Sequence, residues 1–188
     1  MSFIELKNIE VLLIIDESGS MGSKKDKTIK AVNDFIEEQK KFDDINLTIV
    51  RFSYNSNINI IPRKHISKIS SFDDYNPDGQ TALHQAVYTG MNHLLEIIKK
   101  LDDKNYPKNV LVSIFTDGEE NHSKPGFEEK ATEIIKLFEN NNWEVIFNYM
   151  GREAKKEAEK LKVKKQIKTD TMDDLRGSLS KSVSILRA

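Results

Sequence analysis

VLLIIDESGSMG, from Val11 to Gly22, is the stretch that decides the fold. The consecutive apolar residues Val11, Leu12, Leu13, Ile14 and Ile15 predict a strand buried on both faces, as in the middle of a parallel sheet. The run stops at Asp16 and continues as Glu17, Ser18, Gly19, Ser20. If the backbone stays extended past the strand, residues 16, 18 and 20 project to one side, because side chains alternate with period two. A carboxylate and two hydroxyls then meet at the carboxyl end of a central strand, where open α/β sheets bind ligands. A donor set made only of oxygen suits a hard cation such as Mg²⁺ better than zinc or copper. Asp, Ser and Gly are also turn formers, so a helix N-cap loop accounts for these residues equally well.

Outward from this stretch, strand and helix patterns alternate. Ile29, Val32 and Ile36 recur at helical spacing through about 27–41. Residues 46–53 (NLTIVRFS) alternate as a strand, Asn55-Ser56-Asn57 signals a turn, and 58–61 reads as a short strand returning antiparallel. Pro62 is expected to end it at a sheet edge, where a missing N–H does no harm. Residues 63–80 have no clear period; Tyr75-Asn76-Pro77-Asp78-Gly79 within them is a loop cluster. A helical face runs from Thr81 to Leu101, and a second buried strand over 109–116 (NVLVSIFT) ends at Asp117. A helix from Phe127, a strand over 144–150, a charged helix over 152–161, a weak strand over 163–168 and a last helix over 172–186 complete the chain, with Thr171 as a candidate N-cap. This alternation predicts a doubly wound α/β sheet in one domain, residues 1–188.

Composition narrows the function. A net charge of −1 gives no general reason to expect nucleic acid or an acidic membrane. The chain has no cysteine, hence no disulfide, iron–sulfur cluster or thiolate zinc site. MSFIELKNIE lacks a basic segment followed by an apolar one, and the run from Val11 is too short to span a bilayer, so a soluble cytoplasmic protein is expected.

Three loops carry the chemistry. The first strand ends in Asp16, Ser18 and Ser20, the second buried strand in Asp117, and Asp78-Gly79-Gln80-Thr81 brings a hydroxyl to the start of a helix. A divalent cation in near-octahedral oxygen coordination could take the three hydroxyls, with waters oriented by the two carboxylates. In this order, on alternating elements, the chain resembles a von Willebrand factor A domain with a metal-ion-dependent adhesion site. That family's pattern of Asp-x-Ser-x-Ser, then Thr, then Asp falls on Asp16, Ser18, Ser20, Thr81 and Asp117, within IIDESGSM, DGQTALHQA and FTDGEEN. The resemblance implies a mostly parallel sheet with one antiparallel edge strand and a metal at its carboxyl-end crest. We expect the strand order 3-2-1-4-5-6, with 58–61 at an edge and 11–15 central.

By the same resemblance, Ser18, Ser20 and sometimes Thr81 bind Mg²⁺ (or Mn²⁺) directly, while Asp16 and Asp117 act through water. A cation without a directly bound protein carboxylate keeps much of its charge, and a Glu or Asp of a partner protein can complete its coordination. Single-domain members often act as adaptors in intracellular complexes, some with AAA+ ATPases. In related domains, exchange of the Thr and Asp contacts accompanies movement of the last helix. That helix packs through a single apolar stripe here, so its displacement is expected to disturb few other contacts. An acidic ligand would then favour the Thr81-bound state and shift the helix, with a rigid site as the alternative.

Glu17, Asp73, Asp74, Asp78, Glu119 and Glu120 are expected to rim the site as solvated charges, offset partly by Lys24, Lys25 and Lys27. His84 and His122 read as surface or capping residues, and Trp143 as packing. Enzyme readings fit less well. A phosphatase of the haloacid dehalogenase type needs a second acid where Ser18 stands. H-E-x-x-H, G-x-S-x-G and a phosphate-binding Gly-rich loop are all missing. A metal-dependent phosphoesterase-like enzyme, and a subunit with a purely structural metal, are the alternatives to a binding module.

Overall fold

The computed structural model describes residues 8–54 and 57–188. Strand β1 spans Ile9–Asp16 and is buried along its whole length, because apolar layers cover both sides of the sheet. Its side chains divide with period two. Ile9, Val11, Leu13 and Ile15 enter one apolar layer, and Leu12 and Ile14 the other. β2 (Ile45–Phe52), β3 (Ile58–His65), β4 (Asn109–Thr116), β5 (Glu144–Tyr149) and β6 (Lys165–Lys168) complete a sheet of order β3-β2-β1-β4-β5-β6. Among the described residues only the β2–β3 pair is antiparallel. The expected order and the central place of 11–15 are therefore observed.

Helices α1 (Lys25–Lys40) and α5 (Met172–Arg187) cover the first face. On the second lie α2 (Leu83–Ile98) and α3 (Phe127–Asn140), with α4 (Arg152–Lys160) contributing Ala158. Thr171 caps α5 as expected. Its hydroxyl accepts from the Asp174 N–H, and the Asp174 carboxylate accepts from the Thr171 N–H, a reciprocal capping box. Trp143 packs edge-on against Phe138.

Two expectations need correction. Pro62 does not end β3, which continues to His65. The register steps from Ile49 opposite Ile61 to Leu47 opposite Lys64, so β3 has an extra residue at Pro62-Arg63. A bulge on an edge strand accommodates a residue that cannot donate to the ladder. The turn expected at Asn55-Ser56 lies outside the described residues; beside it, the Asn57 N–H donates to the Tyr54 carbonyl (2.8 Å).

The second correction concerns α5, which does not rest on an apolar stripe alone. Ser178 Oγ donates to Asn148 Oδ1 (2.8 Å), and Asn148 Nδ2 donates to Ser113 Oγ (2.9 Å), a polar ladder set into the buried face of the sheet. Ser180 bonds Glu38 on α1 (2.7 Å), and the Arg187 guanidinium grips both oxygens of Asp44 at 2.7 Å. Displacing α5 would break all of these at once, which favours a fixed helix.

Close packing also marks α2. A Cβ at Gly90 would lie 3.0 Å from Val50 Cγ2 and 3.4 Å from Ile14 Cδ1, so the helix backbone rests directly on the sheet. Gly90→Val is expected to destabilise the fold by about 1–3 kcal/mol through overpacking. A urea midpoint equal to that of the wild type would refute this contact.

Candidate metal centre

β1 and β4 run side by side and end at the same level, so their final side chains meet. Asp16 is fully buried. Its Oδ1 accepts from the Ser18 N–H (2.7 Å) and its Oδ2 from the Thr116 hydroxyl (2.5 Å). Burial raises its pKa to about 6, although the bonds from Ser18 and Thr116 oppose that rise. The Tyr75 hydroxyl donates to the Asp16 carbonyl (2.5 Å) from a fully buried ring. Burial and the nearby Asp16 charge push the Tyr75 pKa upward.

The backbone does not stay extended past the strand. Ser18 is extended at φ −70°, ψ 166°, but Gly19–Lys24 forms a 3₁₀ helix. The Asp16 side chain bonding the amide two residues on makes an Asx turn, which bends the chain before simple alternation could align residues 16, 18 and 20. The turn nevertheless brings Ser18 Oγ and Ser20 Oγ to 3.1 Å. Ser20 Oγ donates to Asp117 Oδ1 (2.6 Å), while Asp117 Oδ2 receives the Lys24 ammonium (2.6 Å). Asp16, Ser18, Ser20 and Asp117 thus form one continuous hydrogen-bonded row.

Thr81 joins from the loop before α2. A Cβ placed on Gly118 would lie 3.9 Å from both Ser20 Oγ and Thr81 Oγ1, so both hydroxyls border that glycine. Thr81 is held by its backbone: its N–H donates to Asn121 Oδ1 (2.9 Å), and its carbonyl accepts from the N–H groups of Asn121 (3.0 Å) and His122 (3.2 Å). Glu120 accepts from the N–H groups of His84 (2.8 Å), His122 (2.8 Å) and Ser123 (2.5 Å). A carboxylate at the first turn of α2 also favours that helix electrostatically. Thr81 and the loop after Asp117 therefore form one bonded unit.

Several supports were not expected. Glu17 is buried rather than solvated, and its Oε1 accepts from Arg51 Nη1 (3.0 Å) and from the Asn76 N–H (2.5 Å). Arg51 also bonds the Asp74 carbonyl and carboxylate, which fixes the otherwise patternless 69–80 segment beside the site. The signal was a lone Arg in an apolar strand: a buried guanidinium requires an anion. His84 is buried too, with Nε2 2.9 Å from Glu157 Oε2 on α4. Asp73, Asp74, Asp78 and Glu119 are exposed, as expected for rim charges.

Among the described residues no three His, Cys, Asp or Glu side chains gather as a metal-binding group. The row at the crest instead offers hydroxyls flanked by two carboxylates. Two oxygens at right angles about Mg²⁺, each about 2.1 Å from it, stand about 3.0 Å apart. The 3.1 Å between Ser18 Oγ and Ser20 Oγ, here a hydrogen bond, is compatible with that spacing. The donor set therefore fits a hard divalent cation.

The model of the von Willebrand factor type A domain matches residues 10–178. No curated protein matches in sequence. Among solved structures, the PilB minor pilin from Streptococcus sanguinis is similar at TM-score 0.67 and 15% identity, over 96% of this chain and 61% of that one. The vWF domain of the type V pili tip protein Mfa5 from Porphyromonas gingivalis is similar at TM-score 0.69 and 9% identity, over 96% and 95%. Proximal thread matrix protein 1 from the mussel byssus, with a zinc-occupied MIDAS motif, is similar at TM-score 0.62 and 14% identity, over 92% and 46%. The chain spans about three fifths of the pilin and under half of the byssus protein. At these identities the likeness is one of fold. None of the three is named as a cytoplasmic protein, so they lend that expectation no support.

Proposed function

The chain belongs to the von Willebrand factor type A domain family, and from that premise we propose that it is a metal-dependent protein-binding module. Ser18, Ser20 and Thr81 would hold Mg²⁺ (or Mn²⁺) through their hydroxyls, with Asp16 and Asp117 orienting water. The observation that supports this reading most is the Ser18–Ser20 hydroxyl pair at 3.1 Å, set between those two carboxylates. A bound cation supplies an electropositive position that a partner's Glu or Asp can complete.

This chain's own residues do the rest. Asp16 is held by Ser18 and Thr116, which disfavours its turning onto a cation and would leave more of the cation's charge for a partner. The double tether of Thr81 and the polar anchors of α5 favour a preformed site over one that changes shape with ligand. The same crest would serve an adaptor in a larger assembly, an AAA+ complex included, where the partner presents a carboxylate. Turnover is not part of this reading, because Ser18 stands where a phosphatase of this geometry would need a general acid.

Mg²⁺ binding only the folded chain should stabilise it by about 2.7 kcal/mol at a hundredfold excess over Kd, or roughly 5–10 °C in Tm. EDTA should reverse the gain, and Ser20→Ala should remove most of it. Thermal melts that do not respond to Mg²⁺ would end the metal reading.

A further inference from the structure

Lys24 lies at the end of the 3₁₀ helix, immediately before α1. Its ammonium sits 2.6 Å from Asp117 Oδ2 and 3.3 Å from the Ser20 carbonyl. The Asp117 side chain is only 6% exposed and that of Lys24 25%, so the pair is largely withdrawn from water. Both carboxylate oxygens of Asp117 are thus engaged, one by Ser20 and the other by a fixed positive charge. The neighbouring lysines differ. Lys25 reaches Asn76 Oδ1 (2.8 Å), and Lys27 is exposed further along α1.

Resting on the metal-site reading above, we infer that Lys24 is a tethered competitor for the cation. Its charge lies against Asp117 and offsets the repulsion between Asp117 and Asp16. A divalent cation at the crest would draw on the same Asp117 oxygen that the ammonium now holds, and two positive charges cannot share that carboxylate without mutual repulsion. The ammonium must leave, and its four-carbon stem lets it swing to the rim. Metal loading and release of Lys24 are then one exchange, and the coupling is reciprocal: whatever holds Lys24 outward tightens the metal. An acidic partner at the crest would do both, accepting the released ammonium while it completes the cation's shell.

The test is Mg²⁺ calorimetry on wild type, Lys24→Met, Lys24→Arg and Lys27→Met, with acylation of Lys24 followed by mass spectrometry. Lys24→Met should bind Mg²⁺ about tenfold more tightly. Lys24→Arg, which keeps the charge, should bind no more tightly than wild type, and Lys27→Met should be unchanged. In wild type, Mg²⁺ should increase acylation of Lys24. Lys24→Met changes only the side chain, so the bond from the Thr28 hydroxyl to the Lys24 carbonyl (3.0 Å) survives; melts in EDTA check its fold. If Lys24→Met and Lys27→Met tighten binding equally, or Lys24→Met does not tighten it, the competitor role is wrong while the metal site stands. If none of the four proteins binds Mg²⁺, the metal site itself is wrong.

Discussion

In EDTA at neutral pH, Asp16→Asn should be more stable than wild type by about 2–3 kcal/mol, and it should have lost Mg²⁺ binding. The reason is the cost of holding an ionised carboxylate at this position. Burial raises the Asp16 pKa from 3.8 to about 6, and each tenfold weakening of the acid corresponds to about 1.4 kcal/mol. Well below its ordinary pKa of 3.8 the group is protonated in both folded and unfolded chains, and the penalty is absent. As pH rises towards 6 the unfolded chain gives up the proton first, so the metal-free fold loses stability across that window and regains none above it. Asn carries no such charge. Its carbonyl can accept the Ser18 N–H, and its amide can donate to the Thr116 hydroxyl, which already accepts from the Gly118 N–H (3.2 Å). Urea melts in EDTA at pH 5 and pH 7.5 would show the slope in wild type and its loss in the variant. A less stable Asn variant at pH 7.5 would refute the account. The same pKa means that Mg²⁺ affinity of the wild type should fall about tenfold per pH unit below about 6.

Arg51→Met should cost about 3–5 kcal/mol, because it leaves Glu17 buried and ionised without its cation. The Glu17 side chain is 4% exposed and that of Arg51 10%, so water cannot replace the lost partner. The damage should spread to 69–80, where Arg51 holds Asp74 and where the Glu17 carboxylate and carbonyl hold the N–H groups of Asn76 and Asp78. Limited proteolysis should therefore open that segment before any other. Pairing the change with Glu17→Leu should restore much of the stability, since the uncompensated charge is then gone. A double variant no more stable than the single one would place the cost in packing instead.

How far the sequence revealed this molecule depends on whether an interaction is local. Val11–Ile15 could be read as central because burial on both faces leaves no polar alternation. Asp16, Ser18, Ser20, Thr81 and Asp117 could be grouped as a candidate site because each stands near a strand or helix end in a fixed order. The 3₁₀ turn after Ser18 escaped notice because it arises from the Asp16 side chain bonding a backbone amide, which no periodicity records. Glu17 and Glu120 looked like loop charges; Arg51 and the His84 amide, which they bind, are distant in sequence. The anchors of α5 were missed for the same reason, since Ser178, Ser180 and Arg187 look like ordinary polar-face residues until Asn148, Glu38 and Asp44 meet them.

The parallel pairing of β1 has a mechanical consequence. A pull between the crest serines and the start of β1 would run lengthwise down that strand. That strand is in register with β2 from Ile9 to Asp16 and with β4 from Ile9 to Ile15. A lengthwise load strains both ladders in shear, so their hydrogen bonds share the force instead of opening one after another.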